Sequence, residues 1–260
     1  QHGHCRDPDQ SDGRNRRNLS TQQKSRTHAT RKIHKYFRRK YRSTQPKSVY
    51  FKLARKYGVF IFGLFIMATG IALSIRADMG ITPISSLPYV VSLGVPLTVG
   101  MLTILLHAGF LLIEFLLMPR EFEPIQLLQL GAAVVFGAFI DLVLAGLAWL
   151  VPVSYPEQIL LVVLSCALLG VGICFEVAPN VLMMASEGML TAAVRRFHVE
   201  FGTIKVALDV TLVVLSIILS LAMFSTVYGI REGTVIAAVL VGIFVKLFKL
   251  PVYAATQKLI

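Results

Sequence analysis

Residues 57–76 read YGVFIFGLFIMATGIALSIR, twenty positions of which only the last is charged. At about 1.5 Å per residue, a helix of roughly 20 apolar residues crosses the ~30 Å hydrocarbon core of a bilayer. Five further stretches meet the same test, near 97–118, 126–150, 158–178, 204–224 and 234–250; the last is the shortest and holds Lys246 and Lys249. The expected fold is all-α, a polytopic membrane protein of about six transmembrane helices.

The 260 residues carry 26 Lys+Arg against 14 Asp+Glu, a formal net charge of +12. That excess would suit a nucleic-acid-binding domain, but it is unevenly placed. Residues 1–57 hold 17 basic and 3 acidic side chains, and residues 58–260 hold 9 and 11. The part that can pack a core is nearly neutral, so nucleic acid is disfavoured as a partner and the lipid bilayer is expected. The overall 55% apolar and 15% charged composition agrees, because soluble domains keep about 25% charged residues. Cys5, Cys166 and Cys174 form no disulfide framework.

Residues 1–56 have no apolar periodicity and read as a basic, disordered cytoplasmic tail. Within it, 31–42 (RKIHKYFRRKYR) interleaves aromatics with bases and suits a short helix on anionic lipid. The segment is too long and basic for a secretory signal. With the tail inside, Arg120, Arg195, Arg196, Lys205, Lys249 and Lys258 fall on the cytoplasmic side, and only Arg76 and Arg231 fall outside. The positive-inside rule then places both termini in the cytoplasm.

Two segments between spans are too apolar for ordinary loops: 80–96 (GITPISSLPYVVSLGVP) and 181–197 (VLMMASEGMLTAAVRRF). The first carries three prolines and the second a Glu and an Arg pair, so re-entrant or interfacial helices are expected. At an offset of 102 residues, Gly70 aligns with Gly172, Ile71 with Ile173, Gly100 with Gly202, Asp78 with Asn180, and His107 with Asp209. An offset of 105 aligns FGAFIDL, holding Gly137 and Asp141, with VGIFVKL, holding Gly242 and Lys246. Two repeats, about 57–150 and 158–252, would each have three spans. An odd number inverts the second copy, which is the plan of many secondary transporters.

The stretch from Ala77 to Pro83, Ala-Asp-x-Gly-x-(Ser/Thr)-Pro, resembles the first-half signature of the YczE/YitT-type bacterial integral membrane proteins. Gly202-x-x-Lys205-x-x-x-Asp209 is similar to that family's second-half pattern, with Lys205 in place of its usual Arg, and GIREGT at 229–234 to its Gly-x-Gly-Thr turn. The resemblance covers about 60–252 and implies a bacterial inner-membrane protein with a duplicated plan. It implies no substrate.

Ionisable groups at membrane depth cost about 2.5–3.5 kcal/mol on insertion scales, so each needs a partner or a task. Asp141, on a face of small residues with Ala133, Gly137 and Ala145, is expected to lie well inside the third span and to pair with Lys246, as a structural bridge or a coupling switch. Lys205 and Asp209, four apart, suit an ion pair within one helix or a substrate contact. His107 reads as a neutral imidazole hydrogen-bonding between helices or as a proton relay. Glu176 and Glu187 flank the second interrupted segment with Asn180 between them, as Arg76 and Asp78 flank the first; Glu114 is expected to be solvated near a helix end. No metal-ligand spacing, nucleophile motif or phosphate-binding loop appears, so neither a cofactor nor an enzyme is expected. The leading expectation is a transporter of a small molecule or ion, proton-coupled through these residues. The alternative is a non-transporting accessory or scaffold protein. A further copy of the chain is a candidate partner.

Overall fold

The computed structural model describes residues 46–260, with side chains from Tyr50 onward. The amphipathic run 31–42, Cys5 and the rest of the expected tail lie outside the described residues. Residues 46–56, read as tail, are helical; Pro46 suits the first helical position, where its missing N–H is no loss. The chain divides into two units, 1–53 and 54–260. Only residues 46–53 of the first are described, and the helical bundle is the second.

The helices are α1 (Pro46–Ala77), α2 (Pro83–Ser92), α3 (Val99–Leu117), α4 (Leu128–Gly146, entered through a 3-10 turn at Pro124–Leu127), α5 (Tyr155–Val177), α6 (Ala185–Phe197), α7 (Phe201–Phe224) and α8 (Glu232–Leu259). Among the described residues, six segments are long and apolar enough to cross a membrane: Tyr50–Ala77, Val99–Leu117, Pro124–Gly146, Tyr155–Val177, Phe201–Phe224 and Glu232–Leu259. No strand occurs among the described residues. The sixth span is longer than expected because α8 continues through Pro251. An interior proline normally breaks a helix. Here Val252 and Thr256 beyond it are buried, and Arg55 Nη1 donates to the Leu259 carbonyl at 3.3 Å, so packing and capping sustain the last turns.

α2 and α6 are the two interrupted segments, and the order long, short, long, long occurs twice. α1 ends at Asp78 and α5 at Asn180, both left-handed, with φ of 52° and 49°. Asp and Asn tolerate that conformation best among residues with a Cβ. The short helices exchange partners between halves: α2 packs on α7 and α6 on α3.

α1 and α5 cross at small residues. A methyl on Gly70 would lie 2.9 Å from the Ser165 carbonyl and 3.0 Å from Leu169 N; one on Gly172 would lie 3.0 Å from the Gly63 carbonyl and 2.7 Å from Met67 N. Gly70 and Gly172, Gly63 and Ser165, and Met67 and Leu169 are each 102 residues apart. Each helix therefore meets the other through positions at the same offset, a small residue of one against the backbone of the other. Phe60, Leu64, Ala68 and Ile71 of α1 complete a core with Phe136 and Ile140 of α4. On α7, Val206, Val210, Val214, Ile218 and Leu221 form an exposed apolar stripe, as a lipid-facing surface requires.

Candidate functional site

Behind α6, where it meets α3 and the start of α4, lies a cleft of about 250 Å³. Glu114 comes from the last turn of α3, Gln126 and Gln129 from the turn into α4, and Gly188 from the first turn of α6. Glu114 is buried, 4% exposed, which corrects the expectation of a solvated side chain. Gln126 Nε2 donates to Glu114 Oε1 at 2.7 Å, while Gln126 Oε1 accepts from the Glu123 N–H at 2.8 Å, so the carboxylate is held from the backbone. Glu114 Oε2 faces the bare Cα of Gly188, and the Gln129 side chain, also 4% exposed, lies within hydrogen-bonding reach of the Glu114 carboxyl; no full hydrogen bond reaches Glu114 Oε2 or Gln129 Oε1 among those of the described residues. Arg195 and Glu121, 3.6 Å apart and exposed, form a rim.

Counting 102 residues, Gly188 corresponds to Ser86 and Glu114 to Ser216. Ser86 Oγ and Ser216 Oγ share a hydrogen bond of 2.9 Å, both fully buried. Residues 181–183 line the cleft beside Ile125 and Gln126. Their counterparts are laced shut: the Ile81 N–H donates to the Gly229 carbonyl at 3.0 Å, and the Gly233 N–H donates to the Met79 carbonyl at 2.8 Å. Positions 102 residues apart thus differ: Ser86 and Ser216 are hydrogen-bonded and buried, whereas Gly188 and Glu114 border a cleft.

Next to the cleft, Glu176 at the end of α5 and Glu187 on α6 both accept from the Met184 N–H, at 3.3 and 3.2 Å. Their carboxyls lie within hydrogen-bonding reach of each other. Glu176 is 1% exposed and its Oε2 has no donor among the hydrogen bonds of the described residues. Two carboxylates this close in a dry place repel each other when both are charged. The equivalent positions are Ser74 and Ser85, so this chemistry also belongs to one half only.

The other expected site residues are placed separately. Asp141 Oδ1 accepts from the Gly100 N–H at 2.8 Å and Oδ2 from Thr98 Oγ1 at 2.6 Å. It lies near the end of α4 and caps the N-terminus of α3, whose first amides lack intrahelical acceptors. The small-residue face works as expected, since Gly137 packs directly on Gly100. Lys246 lies on α8, and no ion pair joins it to Asp141 among the described residues. Twelve residues, about 18 Å of helix, separate Asp141 from Gln129. His107 is 3% exposed; its Nδ1 donates to the Thr103 carbonyl at 2.9 Å, and its ring packs edge-on to Phe110 and Phe136. Lys205 and Asp209 form the expected i,i+4 pair. The Asp78 carbonyl accepts from Arg231 Nη1 at 2.9 Å, and the Asn180 N–H donates to the Val177 carbonyl at 3.1 Å, so both act as turn residues. Sequence reasoning missed Glu114 as a site residue, along with Gln126, Gln129 and Gly188. Extending the same offset to Ser86 and Ser216 would have flagged two of the four.

Six apolar helices with two short helices packed among them define a multi-pass integral membrane protein. The chain belongs to the DUF6198 family of unknown function, which matches residues 54–250. No curated protein and no solved structure matches it.

Proposed function

We propose that the protein is an alternating-access transporter of a small molecule or ion, built from two inverted three-span repeats, with the Glu114 cleft as its binding site. One observation carries this reading: positions 102 residues apart are closed in one case and border a cleft in the other. In a symmetric pair of repeats, exchanging those states moves the opening from one end to the other, which is how rocking repeats give alternating access. The seam of small residues between α1 and α5 is a pivot with little side-chain bulk to rearrange. A proton shared by Glu176 and Glu187, one turn from the cleft, is the coupling ion. Arg120, Arg195 and Arg196 cluster at the cleft end, so the positive-inside bias supports a cytoplasmic opening with both termini inside. The likeness of residues 77–83 to the YczE/YitT-type signature supports a bacterial inner membrane and the duplicated plan.

Purified full-length protein in sealed vesicles, given a panel of labelled small cations, anions and neutral solutes under an imposed pH gradient, tests the reading. The expected result is uptake of at least one solute that collapses in Glu114→Gln and loses its pH-gradient dependence in Glu187→Gln. Uptake that is the same in those inserted variants as in the parent would overturn it.

A further inference from the structure

The cleft's unpaired groups specify what it takes. Glu114 Oε2 and Gln129 Oε1 are both acceptors and both buried, and neither receives a full hydrogen bond among those of the described residues, although the Gln129 side chain lies within reach of the Glu114 carboxyl. Leaving such groups unpaired in a dry site is costly, about 1–3 kcal/mol each and more for a charge. A ligand bringing N–H donors and a positive charge satisfies both.

Anions are disfavoured: among the described residues the one basic side chain lining the cleft is Arg195, which stands at the exposed rim beside Glu121, away from the buried Glu114. A bare divalent ion is a poor fit, since hard cations take six or more oxygens and no group of three His, Cys, Asp or Glu suited to a metal exists among the described residues. The volume of about 250 Å³ equals about eight waters at ~30 Å³ each, room for an ammonium head with a short body. Met118, Phe122, Ile125 and Leu182 supply the apolar part of the lining, which suits an alkyl chain, and the charges of Glu121 and Arg195 stand at the exposed rim. Gly188 makes room for Oε2, because a methyl at its Cβ position would press on that oxygen.

We propose that the cleft binds a small primary alkylammonium, with the Glu114 carboxylate as counter-ion, the Gln129 carbonyl as second acceptor and the apolar wall holding the alkyl chain. This rests on reading the cleft as the binding site. It does not require that binding lead to transport.

Equilibrium binding to the full-length protein in detergent or nanodiscs, with methylammonium, propylammonium, tetramethylammonium, sodium and acetate as probes, decides the matter. Propylammonium is expected to bind saturably and more tightly than methylammonium. Tetramethylammonium, which has no N–H, and acetate are expected not to compete. Glu114→Gln and Gly188→Ala should each weaken propylammonium by about tenfold or more, the loss of one charge-assisted hydrogen bond. Should Glu114→Gln fail to fold, Gln129→Leu and Gly188→Ala carry the same test. Tetramethylammonium, sodium or acetate displacing propylammonium at comparable concentration, unchanged affinity in the folded variants, or no alkylammonium binding by a cooperatively melting parent protein would each overturn the proposal. Saturable binding without vesicle uptake would leave this site standing and remove the transport reading instead.

Discussion

Ser86 and Ser216 share a buried hydrogen bond at the place where, in the other half of the molecule, Gly188 faces the carboxylate of Glu114. One contact is repeated with its chemistry changed. The pair closes the first place with two small hydroxyls, while the second keeps a charge and a gap.

The crossing of α1 and α5 predicts where volume is not tolerated. Gly172→Ala puts a methyl 2.5 Å from Met67 Cγ and 2.7 Å from Met67 N, against backbone that cannot move alone. Overpacking of this kind costs about 1–3 kcal/mol, and thermal unfolding in detergent should show a clear fall in Tm. Gly131→Ala, on α4 with nothing within 4 Å of its Cβ position among the described residues, is the control. It should match the parent or exceed it, since alanine is favoured over glycine in a helix by about 1 kcal/mol.

Asp141 is expected to matter for stability and not for ligand affinity. Asp141→Asn removes the charge that complements the α3 N-terminus, at a cost of about 1 kcal/mol. Thr98→Ala removes part of the same cap. The double variant should lose less than the two single losses combined, because the residues share one interaction. A large change in propylammonium affinity in Asp141→Asn would show that this end of the bundle belongs to the binding machinery after all.

The left-handed turns are interchangeable. Asp78→Asn and Asn180→Asp should leave Tm nearly unchanged, and Asn180→Gly should be mild. Asn180→Val forces a β-branched residue to a φ near 49°, with a penalty of about 1–2 kcal/mol that a melting curve resolves.

The carboxyl pair sets a pH dependence. Burial pushes the Glu187 carboxyl up from the ordinary glutamate range, with hydrogen bonding to the Glu176 side chain first, and then the Met184 N–H and the charge of Lys205, holding it back. The folded state therefore binds a proton more tightly than the unfolded chain does. Its contribution is fully present below the unfolded glutamate pKa and is lost as pH rises through the folded value. Tm should fall as pH is raised through the upper carboxylate range, and Glu187→Gln should flatten that slope. An equally steep slope in a folded Glu187→Gln protein would assign the titration to another group.

The spans were legible in the sequence because hydropathy is a local property. Four of the six fall within four residues of their expected bounds at both ends, the first begins earlier, at Tyr50, and α8 runs past Pro251 because burial of Val252 and Thr256 outweighs a local breaking signal. The offset of 102 reappears in space at Asp78 and Asn180 and at the two glycines of the α1–α5 crossing. The site was not legible in the same way. Glu114 sits one turn from a helix end, where a single chain in lipid would leave it wet, and it is α6, arriving more than seventy residues later, that covers it. Asp141 reads as a mid-span charge until α3 is seen to begin beside it. Burial that depends on a distant segment leaves no trace in the neighbours of a residue, and only the repeat could have pointed there.

The patch that α1 and α5 offer each other is the kind that two copies of one protein make when they dimerise. If the proposed repeats are halves of that kind, residues 147–154 would be the tether that holds them at high effective concentration. The order of manufacture then ceases to matter. A chain ending after α4 and a separate one starting before α5, made together in one cell, have the interface they need to find each other, and the exchanged packing of α2 and α6 would interlock the two pieces once they meet.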